Sequence, residues 1–286
     1  MRTYLACLLL LIITTVRAQD KPAYKLFTPD GKGTDYTKMI KALAKADIVL
    51  FGELHDDALD HWLELQVAKD LYALRNDLAL GLEMFEADDQ IVLDEYLTGV
   101  IEERHLLSEA KVWENYKTDY KPLIEFAKEK KLPAVATNPP RRYANLVYRK
   151  GIEALQSLPE DAKRWIAPLP IEIDLTLPGY KSMASMGGHG TAAPANDNMA
   201  KSQAVKDATM AHFIIKNRKG LFLHYHGAYH SRNFEGIVWY LKKAAPDLKI
   251  VTIHSVEQAS IDDLENENRG AADFIIAIPK DMTKTY

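Results

Sequence analysis

The stretch Ala46-Asp47-Ile48-Val49-Leu50-Phe51-Gly52-Glu53-Leu54-His55 joins an apolar run to an abrupt glycine. Short runs of apolar, β-branched and aromatic residues that stop at a glycine are typical of buried strands ending in tight turns. A second run, Leu221-Phe222-Leu223-His224-Tyr225-His226, leads into Gly227-Ala228-Tyr229-His230 with the same Gly-x-x-His spacing. Ligands of open α/β sheets bind just outside the carboxyl ends of the strands. The two turns therefore place His55 and His230 where such a fold builds a site.

Predicted strands and helices alternate along the chain. Further strands are predicted at 78–85, 132–137, 249–256 and 272–278, and helices at about 58–75, from 88 or 89, and at about 120–130, 141–150, 159–166, 199–217 and 233–244. This alternation predicts an α/β fold with a mainly parallel sheet flanked by helices on both faces. Segment 168–198 contains Pro, Gly, Ser and Met without a clear period, so we expect a loop or cap there.

The first 18 residues have the pattern of a secretory signal peptide. Arg2 supplies a positive charge, and an unbroken apolar core follows at 8–13. This core is too short for a bilayer span, which needs ~20 residues. Val16-Arg17-Ala18 then fits a cleavage site. We therefore expect export to the periplasm or cell envelope, with one domain over 19–286.

The exported chain is expected to be globular, acidic and free of disulfides. Cys7 is the one cysteine and lies within the predicted signal peptide, before the apolar core and so too early for a lipid anchor; the mature chain therefore contains none. Without residues 1–18, 34 basic residues face 40 acidic ones, a formal charge of −6. A mildly acidic chain without a basic tract gives no support to nucleic-acid binding.

The turn after the first strand carries several groups that could act on a ligand. Glu53 lies two residues before His55, where a carboxylate could hold a ring N–H and raise the basicity of the imidazole. Asp56 or Asp57 could also simply cap the helix that follows. Glu83 lies near the end of the next strand, where an acid among apolar residues needs a partner. Strict alternation would place Glu83 and Phe85 on one face of that strand.

Imidazole and carboxylate groups at these positions also suggest a metal site. His55, His230 and a carboxylate from Glu53 or Glu83 could bind a divalent transition ion with an open position. For His224 the simpler interpretation is a buried histidine hydrogen-bonded within the core. In segment 168–198, Tyr180, Met183, Met186 and His189 are residue types that can bind haem iron. A mobile lid with incidental Met and His residues remains an alternative there.

Five short motifs in this order resemble the ChaN-like haem-binding uptake proteins of the Tiki superfamily, which also includes erythromycin esterase-like enzymes. They are Gly52-Glu53-Leu54-His55, Gly81-Leu82-Glu83-Met84-Phe85-Glu86, Asn138-Pro139-Pro140-Arg141-Arg142, the segment 202–211 and Gly227-Ala228-Tyr229-His230. The resemblance implies a bacterial envelope protein of haem and iron uptake. It also implies haem held between paired subunits with a tyrosine ligand, and histidine or lysine near the propionates.

The resemblance places candidate haem contacts on this chain. Tyr180 with Lys181 is the best match for the tyrosine region, with Tyr143 or Tyr229 as alternatives. His55, His230, Glu83 and His189 complete the expected haem-binding set. A homodimer and an outer-membrane haem-uptake machinery are the expected partners. The rival hypothesis is a metal-dependent protease or esterase whose ion activates water at His55, His230, Glu53 and Glu83.

Overall fold

The structure, a computed structural model, describes residues 20–186 and 197–285. The predicted signal peptide and His189 lie outside these residues. The strands are β1 (Lys25–Phe27), β2 (Gly33–Thr34), β3 (Ile48–Glu53), β4 (Ala79–Glu86), β5 (Ala134–Asn138), β6 (Phe222–Gly227), β7 (Ile250–Gln258) and β8 (Phe274–Pro279). The α-helices are α1 (Tyr36–Leu43), α2 (Ala58–Leu74), α3 (Gln90–Leu97), α4 (Glu103–Glu109), α5 (Lys121–Lys130), α6 (Arg141–Lys150), α7 (Glu160–Lys163), α8 (Pro178–Met186), α9 (Asn198–Asn217) and α10 (Ile237–Ala244).

The strands form one sheet in the order β2-β1-β8-β7-β3-β6-β4-β5. Strands β3 to β8 pair in parallel, and β1 is antiparallel to both β2 and β8. This confirms the predicted α/β fold with a mainly parallel sheet. From β3 the chain moves outward to β4 and β5 on one side and later to β7 and β8 on the other. The sheet therefore has its crevice at the carboxyl ends of β3, β6 and β4.

Apolar side chains of the central strands alternate between two cores, one on each face of the sheet. In β3, Val49 and Phe51 pack in the core beneath α1, α2 and α5. Ile48 and Leu50 pack in the core beneath α9 and α10. The same alternation continues through Gly52 and Glu53 of β3, so Glu53 points toward α2. On the other face, which α9 covers, lie His224 and His226 of β6 and Glu83 of β4.

Several elements differ from the prediction. β1, β2, α1 and α4 were not predicted. The two strands are very short, and β1 pairs with the distant β8. Segment 168–198 contains α8, whose Tyr180 packs against Ala200 and Ala204 of α9. Nine residues starting at Pro178 are too few to show a helical period, although proline suits a first turn.

Two side-chain orientations also differ. The apolar residues at helical spacing in segment 58–75 include Trp62 and Leu74, and this spacing predicts that both belong to the buried face. In α2 they are 51% and 57% exposed and thus do not belong to it. Phe85 packs in the same core as Met84, on the face opposite Glu83. Because the pairing of β4 with β5 shifts register between Leu82 and Glu86, strict alternation fails there. Within the described residues, none of the helices is long and apolar enough to cross a membrane.

Candidate functional site

A cleft of about 780 Å³ opens at the carboxyl ends of β3, β4 and β6. Glu53, His55, Glu83 and His230 all lie along it, so the structure brings these four predicted residues together. Its other lining residues are Leu54, Asp56, Glu86, Trp113, Asn138, Pro139, Arg141, Met183, Gln203, Lys206, Gly227, Ala228 and Tyr229. This volume lies within the range of small-molecule and cofactor sites.

The turn after β3 is hydrogen-bonded to residues at the start of α2. Asp57 caps α2 by accepting hydrogen bonds from the N–H groups of Leu59 and Asp60, at 3.0 and 3.2 Å. This confirms the predicted cap and identifies the residue. Asp60 in turn accepts the N–H of Leu54 at 2.8 Å. The backbone that carries His55 is therefore anchored to buried carboxylates.

His55 presents one ring nitrogen to the cleft. Its Nδ1 donates to Glu53 Oε1 at 2.6 Å, and its ring lies edge-on to Trp113 with 4.8 Å between centroids. Among the described residues, Nε2 has no hydrogen-bond partner, and 38% of the side chain is exposed. Burial lowers the pKa of His55, but the bond to Glu53 outweighs it and raises the pKa. Glu53 thus fixes the tautomer whose lone pair faces the cleft.

Gly227 makes room for this histidine. A Cβ at position 227 would lie 2.6 Å from His55 Nε2 and 2.8 Å from Cε1. Gly227 has φ −56° and ψ 137°, a conformation open to any residue. The glycine is therefore needed for close approach, not for backbone freedom. Gly227, from the second Gly-x-x-His turn, thus makes room for His55, the histidine of the first turn.

His230 lies between two buried carboxylates. Its Nδ1 is 2.5 Å from Asp207 Oδ1, and its Nε2 is 3.1 Å from Glu83 Oε1. Burial lowers the pKa of His230, but the charges of Glu83 and Asp207 outweigh it and raise the pKa to about 10. Both ring nitrogens therefore carry protons at neutral pH, and His230 offers positive charge rather than a lone pair.

Glu83 is held by the same arrangement. Its second oxygen, Oε2, accepts the N–H of Gly227 at 2.8 Å. Burial raises the pKa of Glu83, but the His230 charge opposes it and holds the pKa well below its usual range. The charge of Lys206 on α9 also lowers this pKa. Glu83 is thus ionised and partnered, as an acid in an apolar strand must be.

Tyr180 is placed differently from the expectation of a cleft-facing ligand. Its hydroxyl donates to Asp207 Oδ2 at 2.6 Å, and the side chain is 2% exposed. Burial and the Asp207 charge raise its pKa, which disfavours a phenolate. In this structure Tyr180 does not face the cleft, because α8 turns the ring toward α9. Its role as an iron ligand stays a prediction that requires the phenol to leave Asp207.

Other predicted residues have simpler placements. Lys181 is exposed on α8 and is not among the described residues that line the cleft. His224 is fully buried and lies 2.7 Å from the Thr137 hydroxyl, with a pKa lowered by burial, as the core interpretation predicts. Tyr143 packs with Val147 and Val205 in a small core away from the sheet. Tyr229 is 37% exposed and lines the cleft beside His230.

The predicted metal set does not meet at one point. His230 has both nitrogens engaged, and Glu53 Oε1 is taken by His55 and by the hydroxyl of Tyr120 at 2.6 Å. Among the described residues, the ligand atoms that lie within 4.8 Å of one another belong to Glu53, His61 and Glu64. Of this group only Glu53 was predicted.

Sequence reasoning missed His61, Glu64 and Asp207. The spacing of His61 and Glu64, three residues apart in α2, puts them on one helix face and was an available signal. Asp207 lies in the middle of α9 and is fully buried, where a lone acid signals a fixed partner. Each was obscured by the apolar residues around it.

Comparisons with known proteins identify a family and several structures of similar fold. The family model for haem-binding uptake proteins of the Tiki superfamily, ChaN, matches residues 39–241. A structure of cofacial haem binding to ChaN of Campylobacter jejuni shares 18% identity and a TM-score of 0.66, covering 91% of this chain and 98% of that one.

Two further structures share the fold. A Bacillus cereus protein has 11% identity and a TM-score of 0.52, with 90% of this chain and 95% of that one covered. An erythromycin esterase mutant in its open conformation has 12% identity and a TM-score of 0.50, with 89% and 97% covered. No curated protein matches the chain. These likenesses show the fold alone, but the family model spans most of the chain. The chain thus belongs to the ChaN-type haem-binding uptake family of the Tiki superfamily.

Proposed function

We propose that the protein binds haem in the cleft, with His55 Nε2 as the iron ligand. The observation that carries this proposal is the Glu53–His55 pair, which leaves one imidazole lone pair directed into the cleft. A carboxylate on the opposite ring nitrogen raises the basicity of an imidazole ligand. His230 is unsuited to this role because both of its nitrogens are engaged.

The remaining walls suit a planar, dianionic porphyrin. Trp113, Met183 and Tyr229 offer aromatic and thioether surface. Arg141 and Lys206 line the same cleft. Propionate groups need such cations. The charge of His230 is matched by Glu83 and Asp207, so Arg141 and Lys206 are the cations that can meet the propionates.

The test is a titration with hemin followed by visible absorption. We expect His55→Ala to lower hemin affinity by at least about tenfold and to change the spectrum. Removing only the residue that orients a metal ligand already lowers metal affinity by about 10–100-fold. His212→Ala, at a half-buried histidine on α9, is the matched control and should bind normally. Tyr229→Phe and Tyr180→Phe test the tyrosine alternatives. If either changes the spectrum and His55→Ala does not, iron is bound by tyrosine.

Export and haem uptake are part of this proposal. The charge, apolar core and cleavage site of residues 1–18 support a cleaved signal peptide. Family membership supports a role in haem or iron uptake in the periplasm, a homodimer around haem and contact with outer-membrane uptake machinery. N-terminal sequencing of envelope protein should start near Gln19, and retention of Met1 or a lipid on Cys7 would contradict cleavage at that site. Growth of a deletion strain on hemin as sole iron source tests uptake.

The Glu53–His55 pair also supports a second candidate, a hydrolase in which His55 acts as general base. A carboxylate-oriented imidazole with a free nitrogen in a cleft is the arrangement that such catalysis requires. The metal-dependent version built on His55, His230, Glu53 and Glu83 is less well supported, because His230 has no free nitrogen. Ester cleavage by wild type that is lost in His55→Ala, with no hemin-induced spectral change, would favour this candidate over haem binding.

A further inference from the structure

We propose that Glu53, His61 and Glu64 bind a divalent transition-metal ion behind the cleft. One ligand atom from each residue lies within 4.8 Å of the others, and the three side chains are at most 5% exposed. They come from the end of β3 and from the first two turns of α2. This site is separate from the free nitrogen of His55 and stands whether or not haem binds in the cleft.

The tautomer of His61 is set by its outer contact. Its Nε2 lies 3.0 Å from the backbone oxygen of His55, which can only accept, so Nε2 carries the proton. In the neutral ring, Nδ1 therefore holds a lone pair, and it lies 3.1 Å from Glu64 Oε2 and 3.6 Å from Glu53 Oε2. Metal-binding histidines are commonly oriented in this way, with the second nitrogen donating to a carbonyl.

Two carboxylate oxygens of the group lack hydrogen-bond partners. Glu53 Oε2 and Glu64 Oε1 are buried and have none within the described parts of the chain. Buried carboxylates without partners are costly unless a cation or a proton neutralises them. Tyr120 donates to Glu53 Oε1 and so holds that carboxylate with its other oxygen toward His61. Asn115 bridges the His55 carbonyl and Asp119, which further fixes the surroundings of His61.

The donor set indicates the class of ion. Two carboxylates and one imidazole suit Zn²⁺, Mn²⁺ or Fe²⁺ rather than Ca²⁺, which prefers six to eight oxygens, or Cu⁺, which prefers sulfur. Three protein ligands leave a coordination position open. Because Glu53 also lines the cleft, an ion can reach the group from there. A bound ion would fix Glu53, and through it the ring of His55.

The experiment uses the full chain after removal of metals with a chelator. Zn²⁺ and Mn²⁺ are titrated separately, and bound metal is measured by mass spectrometry after desalting. We expect about one equivalent per chain and a higher melting temperature. Glu64→Gln removes a buried charge at constant shape, and we expect it to weaken binding by at least about tenfold. His61→Gln should do the same, whereas His212→Gln, a matched control outside the group, should bind as wild type does.

A second measurement uses only the wild-type protein, so it does not depend on whether the variants fold. Crystals of the zinc-loaded wild type should show an anomalous peak among Glu53, His61 and Glu64. A peak elsewhere overturns the site, as does wild type that takes up neither ion because the group holds a proton instead. Equal binding by wild type and Glu64→Gln also overturns it. Loss of zinc in His55→Ala but not in Glu64→Gln would place the ion in the cleft. Hemin binding is scored separately, so either proposal can fail alone.

Discussion

Gly227→Ala should displace His55 without straining the backbone. The new Cβ would lie 2.6 Å from His55 Nε2, whereas atoms in favourable contact are about 3.5–4.0 Å apart. The ring must therefore move by about 1 Å, or rotate toward solvent, since the φ of −56° at Gly227 suits alanine and the turn itself need not change. Such a movement breaks or weakens the bond between His55 Nδ1 and Glu53.

The expected loss of stability is modest, and the loss of haem affinity is larger. A hydrogen bond to a charged group contributes about 1.5–3 kcal/mol. The half-exposed ring regains water when it moves, and replacing glycine by alanine returns about 0.4–1 kcal/mol through the unfolded chain. We expect the free energy of unfolding to fall by about 1–2 kcal/mol. Hemin affinity should fall by about 10–100-fold, because the ligand loses its orienting carboxylate.

The assay combines urea unfolding with a hemin titration of the same preparation. Gly33→Ala is the matched control, since a Cβ there meets nothing within 4 Å among the described residues. It should leave both affinity and spectrum unchanged. The reasoning is refuted if Gly227→Ala binds hemin as tightly as wild type with the same spectrum. It is also refuted if a crystal structure of the variant shows His55 still bonded to Glu53.

Three further predictions concern His230 and its partners. His230→Gln leaves Glu83 and Asp207 buried without their cation and should lower the free energy of unfolding by about 3–5 kcal/mol. Adding Glu83→Gln to this variant should recover part of the lost stability. If denaturant unfolding shows no recovery, the pairing of His230 with Glu83 is contradicted. The pKa of His230 is raised from 6.5 to about 10 in the folded protein, so its stabilising contribution is complete below pH 6.5 and is lost as pH rises toward 10. Unfolding measured from pH 6.5 to 10 should show this decline in wild type, and an equal slope in His230→Gln would disprove the assignment. Tyr180→Phe leaves Asp207 Oδ2 without its donor and should cost about 1–3 kcal/mol in thermal or urea unfolding. The hemin spectrum of Tyr180→Phe should match that of wild type, and a shifted spectrum would indicate that Tyr180 binds the iron.

The positions of four site residues followed from the sequence because they depend on chain direction. Parallel strands end on one edge of the sheet, so residues directly after apolar runs meet there. Glu53 and His55 follow β3, Glu83 lies near the end of β4, and His230 follows β6. No knowledge of the pairing order was needed for that conclusion, which explains why it holds despite errors in several element boundaries.

The partners supplied by helices could not be found in the same way. His61 and Glu64 face the sheet from α2, but the apolar spacing of that helix included Trp62 and Leu74, which are exposed. Which face of a helix is buried depends on where the helix crosses the sheet, and this is set by tertiary packing. Asp207 and His230, which are in contact, are 23 positions apart in the chain. Local patterns contain no information about such a contact.

The two Gly-x-x-His turns show how identical spacing leads to different chemistry. Each places a histidine at the end of a parallel strand, but the neighbouring helices decide the charge of the ring. Beside α2, His55 meets one carboxylate and keeps a free nitrogen. Beside α9, His230 meets Glu83 and Asp207 together and becomes a cation with no lone pair to offer. The cleft therefore combines one histidine that keeps a free ring nitrogen with a second histidine whose charge is matched by two buried carboxylates.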